Sequence, residues 1–206
     1  MSERGMIFNA EMVNAILSGR KTQTRRPIKW KQTRFTEIAE RDDGSLWPWA
    51  EDCERGGDIW FACPYGEIGD RIWVRETFRV HSRATDVATL VYRASVRNSW
   101  TEQTHRVPVA VCNKPVTPEK WTPSIHMPRW ASRITLEITD VRVERLNSIS
   151  DSDASKEGCC IADMESGDCL SDVFTRLWTS IYGDDSWQAN PWVWVIEFKR
   201  VEGGAA

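Results

Sequence analysis

The segment from Arg20 to Arg34 concentrates positive charge in an otherwise acidic protein. It contains seven basic residues and no acidic one, whereas the whole chain carries a formal net charge of −3. A local excess of cations favours an anion site, and phosphate is the obvious ligand. A run of charge is also typical of an ordinary solvated surface, and this alternative stays open.

The polar residues within this segment indicate a more specific site. Thr22, Gln23 and Thr24 lie between the cations, a mixture that suits recognition of a polar ligand. A lysine that is partly desolvated near other cations loses its proton more readily, and it can then act as a base toward a threonine hydroxyl. Lys21 and Thr24 are three residues apart, so a regular strand would turn them to opposite faces. A catalytic pair therefore requires a turn or a bulge between them.

Two glutamates outside the segment are further candidates. Glu76 lies in a strand-like run, and Glu157 is predicted at the end of a capped helix. Each has a structural alternative: Glu76 can pair with Arg75 or Arg71 on a solvent face, and Glu157 can solvate the helix end. We assign no catalytic role to His126, because a lone histidine more often serves packing or hydrogen bonding.

The composition indicates a globular protein. The chain has 206 residues, 41% hydrophobic content and twelve Trp, which is enough to bury a substantial core. This length suits one domain with large insertions or two small domains, and we expect one domain. The net charge excludes the uniformly basic surface of a bulk nucleic-acid binder. No stretch has the length of a membrane span, and the first residues lack the order of a signal peptide. We expect a cytoplasmic protein with no membrane partner and with disorder only at the tail, residues 203–206.

The cysteines give little support to a metal site. The six Cys form no C-x-x-C pair and have no nearby His at ligand spacing. We therefore expect reduced thiols, no metal and no cofactor.

Capping signals predict three helices. Asn9 opens a helix over residues 10–18 that Gly19 ends. A capping-box variant at residues 150–153 opens a short helix that Gly158 ends, which puts Glu157 in its last turn. An apolar stripe predicts a core helix that starts at Ser171 and stops at Gly183, with Val173, Phe174, Leu177, Trp178 and Ile181 on one face.

Alternating residues predict the strands. They predict an extended edge segment over residues 22–28 and a strand over 71–78 whose apolar face carries Ile72, Val74 and Phe78. A short strand is predicted over 89–94, and a longer one from Ile134 to Val143 with a bulge near Thr139 and Asp140. A buried terminal strand is predicted over 192–198. Residues 30–66 are interpreted as an insertion with one hairpin, and residues 95–130 as a second long excursion.

Several of these features together resemble ASCH-domain proteins. The resemblance rests on a short helix followed by Gly19-Arg20-Lys21-Thr22-x-Thr24-x-Arg26, on Gly69-Asp70 before a strand, and on the terminal Val195-Ile-Glu-Phe. Longer members associated with phages and prophages are most similar, in residues 63–76, 124–133 and 190–195. The resemblance spans almost the whole chain.

This resemblance implies an α+β, PUA-like fold: a small mixed β-barrel flanked by short helices and related to RNA-binding domains, here with two long insertions. It implies a nucleoside or RNA ligand. One branch of the family removes the acyl group from N4-acetylcytidine with a Lys, a Thr and a Glu and without metal. Those positions match Lys21, Thr24 and Glu157.

The roles carried over make Thr24 the nucleophile, Lys21 its base and Glu157 an orienting or proton-shuttling carboxylate. The consecutive Arg25 and Arg26 suit a phosphorylated or polymeric ligand. One alternative is a non-catalytic RNA or nucleotide-binding module, and another is a ribonuclease in which Glu157 or His126 handles protons. The remaining ligand-binding candidates are Arg20, Thr22, Arg25, Arg26, Glu76, Arg129 and Trp130.

Overall fold

The computed structural model describes residues 1–30, 37–52, 54 and 56–201, and its elements are of mixed α+β type. The described residues divide into two compact units. The first unit comprises residues 1–19, 70–137 and 200–201, and the second unit comprises residues from 20–69 and 138–199. The single domain remains a prediction. Lys31, Arg34, Cys53 and the predicted disordered tail lie outside the described residues.

The elements are mostly short. The strands are β1 Glu3–Ile7, β2 Gln23–Pro27, β3 Glu37–Glu40, β4 Leu46–Glu51, β5 Asp58–Trp60, β6 Arg71–Arg75, β7 Phe78–Arg83, β8 Val87–Tyr92, β9 Thr104–Pro108, β10 Thr135–Arg145 and β11 Trp192–Val201. The α-helices are α1 Ala10–Leu17, α2 Trp100–Gln103, α3 Asp151–Lys156, α4 Leu170–Tyr182 and α5 Asp184–Gln188.

The first unit contains two groups of paired strands. β1 pairs with β6 in parallel, and β6 pairs antiparallel with Thr135, Leu136 and Glu137 of β10. β7, β8 and β9 form an antiparallel sheet in that order. Burial of alternate apolar residues of this sheet, such as Phe78, Leu90 and Tyr92, builds the core of the unit.

The second unit carries the segment of chemical interest on an edge strand. Its strands β10, β11 and β2 are adjacent in that order, with β2 at the edge. In the register of β2 and β11, Thr24 lies opposite Ile196 and Arg25 lies opposite Val195. Directly opposed residues lie on the same face of an antiparallel pair, so Thr24 shares one face with Ile196 and Arg25 shares the other face with Val195.

One face of β2 and β11 packs on helices. Val193 and Val195 belong to a core cluster together with Ala154 of α3 and Phe174 and Trp178 of α4. Gln23 and Arg25 are on this same face, since Gln23 pairs with Glu197 and Arg25 with Val195. The opposite face carries Thr24 with Ile196 and Arg26 with Trp194.

The predicted helices around the site are confirmed. Asn9 Oδ1 accepts a hydrogen bond of 2.8 Å from the amide of Met12, and Gly19 has a φ of 75° after the helix. α3 has the predicted capping box between Ser150 and Asp153, and Gly158 follows it with a φ of 98°. A positive φ of this size suits glycine, which has no Cβ to clash.

The helix over residues 170–182 begins earlier than predicted. Cys169, and not Ser171, precedes its first turn, and its thiol and the Asp172 carboxylate make the capping box. Val173, Phe174 and Trp178 are buried as expected, but Ile181 is 43% exposed. The prediction that Ile181 completes a core stripe was therefore wrong.

Strand predictions were right in the terminal and edge segments and wrong where loops intervene. β2 lies within the predicted residues 22–28, and β11 begins at Trp192 as predicted but continues to Val201, beyond the predicted end at residue 198. The predicted strand over 71–78 is instead two strands, β6 and β7, broken at Glu76 and Thr77. The buried side of β10 changes parity between Ile138 and Val143, in line with the predicted irregularity.

Both interpreted insertions contain more structure than expected. Residues 37–60 include a three-stranded sheet, β3–β4–β5, in place of one hairpin. The second excursion includes β9, which pairs with β8 along five residues. Local sequence does not reveal these strands, because whether a segment forms a strand depends on the segment with which it pairs.

No sheet closes on itself within the described residues, so the closed β-barrel is not found there. Nor do these residues include a helix with the length and apolar character needed to cross a membrane.

Candidate active site in the second unit

Lys21 and Glu157 form a buried ion pair. Lys21 Nζ lies 2.6 Å from Glu157 Oε2 and donates a second hydrogen bond of 2.8 Å to the Glu157 backbone oxygen. The two side chains are 0% and 2% exposed. Removal of two charges from water is costly unless they are paired and hydrogen-bonded, and this geometry meets that condition.

The elements on either side hold this pair in place. Glu157 is the C-cap of α3, where Gly158 reverses the chain. The amide of Thr22 donates to the Lys156 oxygen at 2.8 Å, and the amide of Phe198 donates to the Thr22 oxygen at 2.8 Å. The backbone beside Lys21 is thus fixed between the end of α3 and strand β11.

Burial changes the protonation of Lys21. Desolvation lowers the pKa of its ammonium group from the ordinary value of 10.5, and the nearby charge of Arg26 acts in the same direction. The Glu157 carboxylate opposes the shift but does not cancel it. Lys21 therefore gives up a proton more readily than a lysine in water does.

Arg25 lies near the other oxygen of the Glu157 carboxylate. Its Nη2 lies 2.9 Å from Glu144 Oε2 and 3.4 Å from Asp153 Oδ2, and its Nη1 lies 3.6 Å from Glu157 Oε1. The guanidinium stacks over the ring of Phe174 at 5.9 Å from the centroid. Three carboxylates therefore compensate the charge of Arg25 inside the unit.

A second arginine extends the network at its surface. Arg142 lies within 3.2 Å of four carboxylates, those of Asp140, Glu144, Asp153 and Glu197. The residues named in this network are three cations and five carboxylates. The predicted anion site on this face would have to compete with these carboxylates for Lys21 and Arg25.

Some buried atoms of this network have no hydrogen-bond partner among the described residues. They are Gln23 Nε2, Arg25 Nε and Nη1, and Glu157 Oε1. Buried polar atoms are normally bonded. Donors and an acceptor of this kind, close to a lysine of lowered pKa, are suited to a small polar ligand.

Thr24 lies on the other face of the strand. It is 2% exposed and opposes Ile196, whereas Gln23 and Arg25 face the helices. Within the described part of the chain, no hydrogen bond joins its hydroxyl to Lys21. Lys21 precedes the first residue of β2, and its ammonium group meets Glu157, the carboxylate that also faces Arg25 on the helix-packed side of the strand.

The other candidates of the basic segment lie near the surface of the same unit. Arg20 is exposed and donates from Nη1 to the Gly158 oxygen at 3.2 Å. Thr22 is exposed at its side chain. Arg26 is half-buried and its Nη1 lies 3.5 Å from the Tyr182 hydroxyl.

Three predicted ligand-binding residues belong to the first unit. Glu76 is buried and bonds with both oxygens to Arg133, at 2.9 and 3.0 Å. Burial raises the pKa of the Glu76 carboxyl, and Arg133 opposes this shift. Arg129 pairs with Glu3 at 2.9 Å, and Trp130 meets Phe78 edge-on in the core of the unit. The alternative of a solvent-exposed pair of Glu76 with Arg75 or Arg71 was wrong.

Sequence reasoning missed the partners of the buried pair. In the sequence Gln23 stands out only as an amide in a polar run, and nothing local marks Glu144 or Asp153 as contacts of Arg25. The available signal was the i, i+2, i+4 spacing of Lys21, Gln23 and Arg25, which predicts one common face for an extended segment.

A pocket of about 330 Å³ in the second unit was also missed. Its walls are apolar and aromatic, with prolines between the rings. They comprise Pro27, Ile28, Lys29, Trp30, Pro48, Phe61, Ala62, Pro64, Tyr65 and Trp194. Trp194 belongs to the face of β11 that carries Ile196, so this pocket and Thr24 lie on the same face of the strand pair.

Cys159 lies near the pair and is not a thiolate at neutral pH. Burial first, and then the charge of Glu157, raises the pKa of its thiol to about 11. In the described ranges, no group of three or more His, Cys, Asp or Glu side chains is arranged to hold a metal ion.

Comparisons with known proteins give little further guidance. No protein-family model matches the chain, and no curated protein matches it. A solved structure, the crystal structure of an ASCH domain from Lactobacillus crispatus JV V101, is similar with a TM-score of 0.41 and 13% identity over 97% of this chain and 79% of that chain. Similarity of this degree carries no conclusion about function.

Proposed function

We propose that the second unit carries an amidohydrolase site that removes the acyl group from an N4-acylated cytidine without a metal ion. The observation that carries the proposal is the contact of 2.6 Å between Lys21 Nζ and the Glu157 carboxylate, both buried. A lysine whose pKa is lowered by burial and whose position is fixed by a carboxylate is suited to proton transfer.

Thr24 is the nucleophile in this mechanism. Its hydroxyl attacks the acyl carbonyl carbon while its proton passes to the neutral amine of Lys21. The tetrahedral intermediate then loses the C–N4 bond, and Lys21 returns the proton to the departing amino group. An ester of Thr24 remains on the protein.

Water completes the reaction. It attacks the carbonyl carbon of the ester and gives a proton to Lys21, which passes that proton to Thr24 Oγ1 as the C–O bond breaks. The products are the free carboxylic acid and cytidine. Glu157 positions Lys21 Nζ through its carboxylate and its backbone oxygen, and its charge limits the fall of the lysine pKa.

The mechanism sets one geometric requirement. Lys21 Nζ must exchange one of its two bonds to Glu157 for a bond to the Thr24 hydroxyl when the substrate binds. Hydrogen bonds of catalytic groups are often long or misaligned before the substrate binds.

The site supports hydrolysis better than phosphate binding on the same face. Lys21 and Arg25 already meet Glu144, Asp153 and Glu157, so an incoming phosphate would be repelled by three carboxylates. A neutral amide meets no such repulsion. A ribonuclease would need a stabilised phosphorane at this place and is disfavoured for the same reason.

The test is incubation of the full chain with N4-acetylcytidine and, separately, with labelled single-stranded RNA. We expect release of acetate and cytidine by the wild type and by the exposed control variants Lys120→Met and Thr139→Val. Thr24→Val is expected to lose turnover by about 10⁴-fold while it stays folded by circular dichroism. Turnover that survives Thr24→Val would overturn the mechanism, and cleaved RNA would replace it with a nuclease.

A further inference from the structure

The aromatic pocket of the second unit contains none of the three residues assigned to hydrolysis. It lies where the segment after β2, the β4–β5 hairpin and β11 meet, with rings of Trp30, Phe61, Tyr65 and Trp194 in its walls. Phe61 is 38% exposed, so the pocket is open to solvent on that side. Four aromatic rings around one cavity provide flat faces for a planar ligand.

Neighbouring residues hold the walls rigidly. Trp194 is buried, and Trp47 meets it edge-on with 5.0 Å between the ring centroids. Trp47 Nε1 donates to the Phe61 oxygen at 2.7 Å, and the amide of Phe61 donates to the Pro48 oxygen at 2.9 Å. A pocket fixed in this way loses little conformational entropy when a ligand binds.

The charge at this pocket is positive. Lys29 lies in its wall and is exposed, and no ion pair to its ammonium group occurs in the described part of the chain. The charge of Arg26 acts on the Tyr65 hydroxyl and opposes the rise that burial causes in the pKa of that group. Unlike Lys21 and Arg25, Lys29 is therefore available to an anion.

Aromatic faces beside a cation fit an aromatic ring that carries a negative group. The volume of about 330 Å³ is at the lower end of the roughly 300–1,000 Å³ of small-molecule sites, which limits the ligand to one ring system with a short substituent. A proline-rich or other extended peptide would need a longer groove. Base stacking on aromatic side chains is the usual way in which proteins hold unpaired nucleotides.

We propose that this pocket binds one nucleotide, with its base between the aromatic walls and its phosphate on Lys29. The site is separate from the Lys21–Glu157 pair, and it gives the protein an affinity for phosphorylated nucleosides that the amidohydrolase site alone lacks. The shared chemistry is a base with a phosphate, either as a free mononucleotide or as a unit of single-stranded RNA.

The test is calorimetric titration of the full chain with cytidine 5′-monophosphate, with cytidine and with ribose 5-phosphate. We expect the nucleotide to bind, cytidine to bind about 10-fold more weakly because it lacks the phosphate, and ribose 5-phosphate to give no measurable binding. Affinity for the nucleotide should fall as salt is added. A short oligocytidylate distinguishes the two sources: tighter binding than the mononucleotide assigns the site to RNA, and equal binding assigns it to free nucleotides.

Two variants localise the binding. Lys29→Met and Phe61→Ala should each weaken nucleotide binding by about 10-fold, because the first removes the phosphate contact and the second a stacking face. Their controls are Lys120→Met and Trp100→Ala, both at exposed positions of the first unit. Phe61 is partly exposed and offers only its backbone oxygen to Trp47, so its replacement should leave the fold intact.

Equal binding of cytidine and its monophosphate, or unchanged affinity in both variants, would overturn the proposal. Binding of an indole carboxylate as tight as that of the nucleotide would also overturn the proposal, since the site would then accept any aromatic anion. The outcome is independent of the amidohydrolase: Thr24→Val should bind the nucleotide like the wild type. If the wild type binds the nucleotide but releases no acetate from N4-acetylcytidine, only the proposed reaction is contradicted.

Discussion

Lys21 and Glu157 are 136 residues apart in the sequence, and their side chains meet at 2.6 Å with almost no exposure to solvent. The segment just before β2 supplies the lysine, and the C-cap of α3 supplies the carboxylate. A contact between such distant residues has to be specified by the whole second unit. Its energetic and chemical consequences can be tested one at a time.

The ion pair should be costly to break and much less costly to replace. Lys21→Met leaves Glu157 buried without its partner, so we expect the free energy of unfolding to fall by about 3–5 kcal/mol. The double variant Lys21→Met/Glu157→Leu removes both charges and should be more stable than either single variant. Urea denaturation measures all three. Lys120→Met, at an exposed site, should change stability by less than about 0.5 kcal/mol.

Arg25 should resist replacement even by another cation. Its guanidinium faces three carboxylates, with Glu144 and Asp153 on one nitrogen and Glu157 near the other. Arg25→Lys keeps the charge but loses the planar fork, so we expect a loss of about 2 kcal/mol or more in urea denaturation. The matched change Arg106→Lys on an exposed strand residue should have no measurable effect; equal effects at both positions would contradict the buried network.

The pH dependence of turnover should report the pKa of Lys21. The mechanism needs its neutral amine, so kcat/KM for N4-acetylcytidine should rise with pH and level off below 10.5, because burial lowers the pKa of this lysine. Glu157→Gln removes the charge that raises that pKa, and the rise in kcat/KM should move to lower pH. Glu165→Gln, at an exposed site, should leave the profile unchanged. A profile that moves to higher pH in Glu157→Gln would refute this role of the pair.

The cap of α3 should matter for the position of Glu157. The Ser150 hydroxyl accepts from the amide of Asp153 at 3.1 Å, and Ser150→Ala removes this bond. We expect a loss of about 1 kcal/mol in the free energy of unfolding. Ser152→Ala changes an exposed serine inside the same helix and serves as the control. Similar losses in both variants would mean that the capping box contributes nothing.

Local signals were sufficient wherever a single side chain decides the backbone. Asn9, Ser150 and Gly158 marked helix ends that the structure contains, and alternation marked β2 and β11. The same signals gave a wrong prediction at Glu76. The alternating pattern continues through this residue, but the strand breaks there between β6 and β7, where Glu76 bonds to Arg133 from a distant segment. No sequence window of ordinary length includes both residues.

The candidate site was predicted in part for a similar reason. The segment from Arg20 to Arg26 stood out by its composition, but its interpretation as free positive charge did not include the carboxylates that meet it. Glu144 is 119 residues from Arg25, and that separation carries no local signal. Trp194 lies in the predicted terminal strand and Phe61 in the interpreted insertion over 30–66, and only the tertiary structure brings them into one pocket.

The most direct test of the account is intact-mass spectrometry of the protein mixed with excess N4-acetylcytidine and quenched during turnover. The proposed mechanism predicts an added acetyl group on wild-type protein that proteolytic mapping assigns to Thr24, together with release of cytidine. It predicts neither adduct nor cytidine release for Thr24→Val. Cytidine release by the Thr24→Val variant at the wild-type rate, or no release by the wild type at any pH between 6 and about 10, the range below the ordinary pKa of lysine, would contradict it.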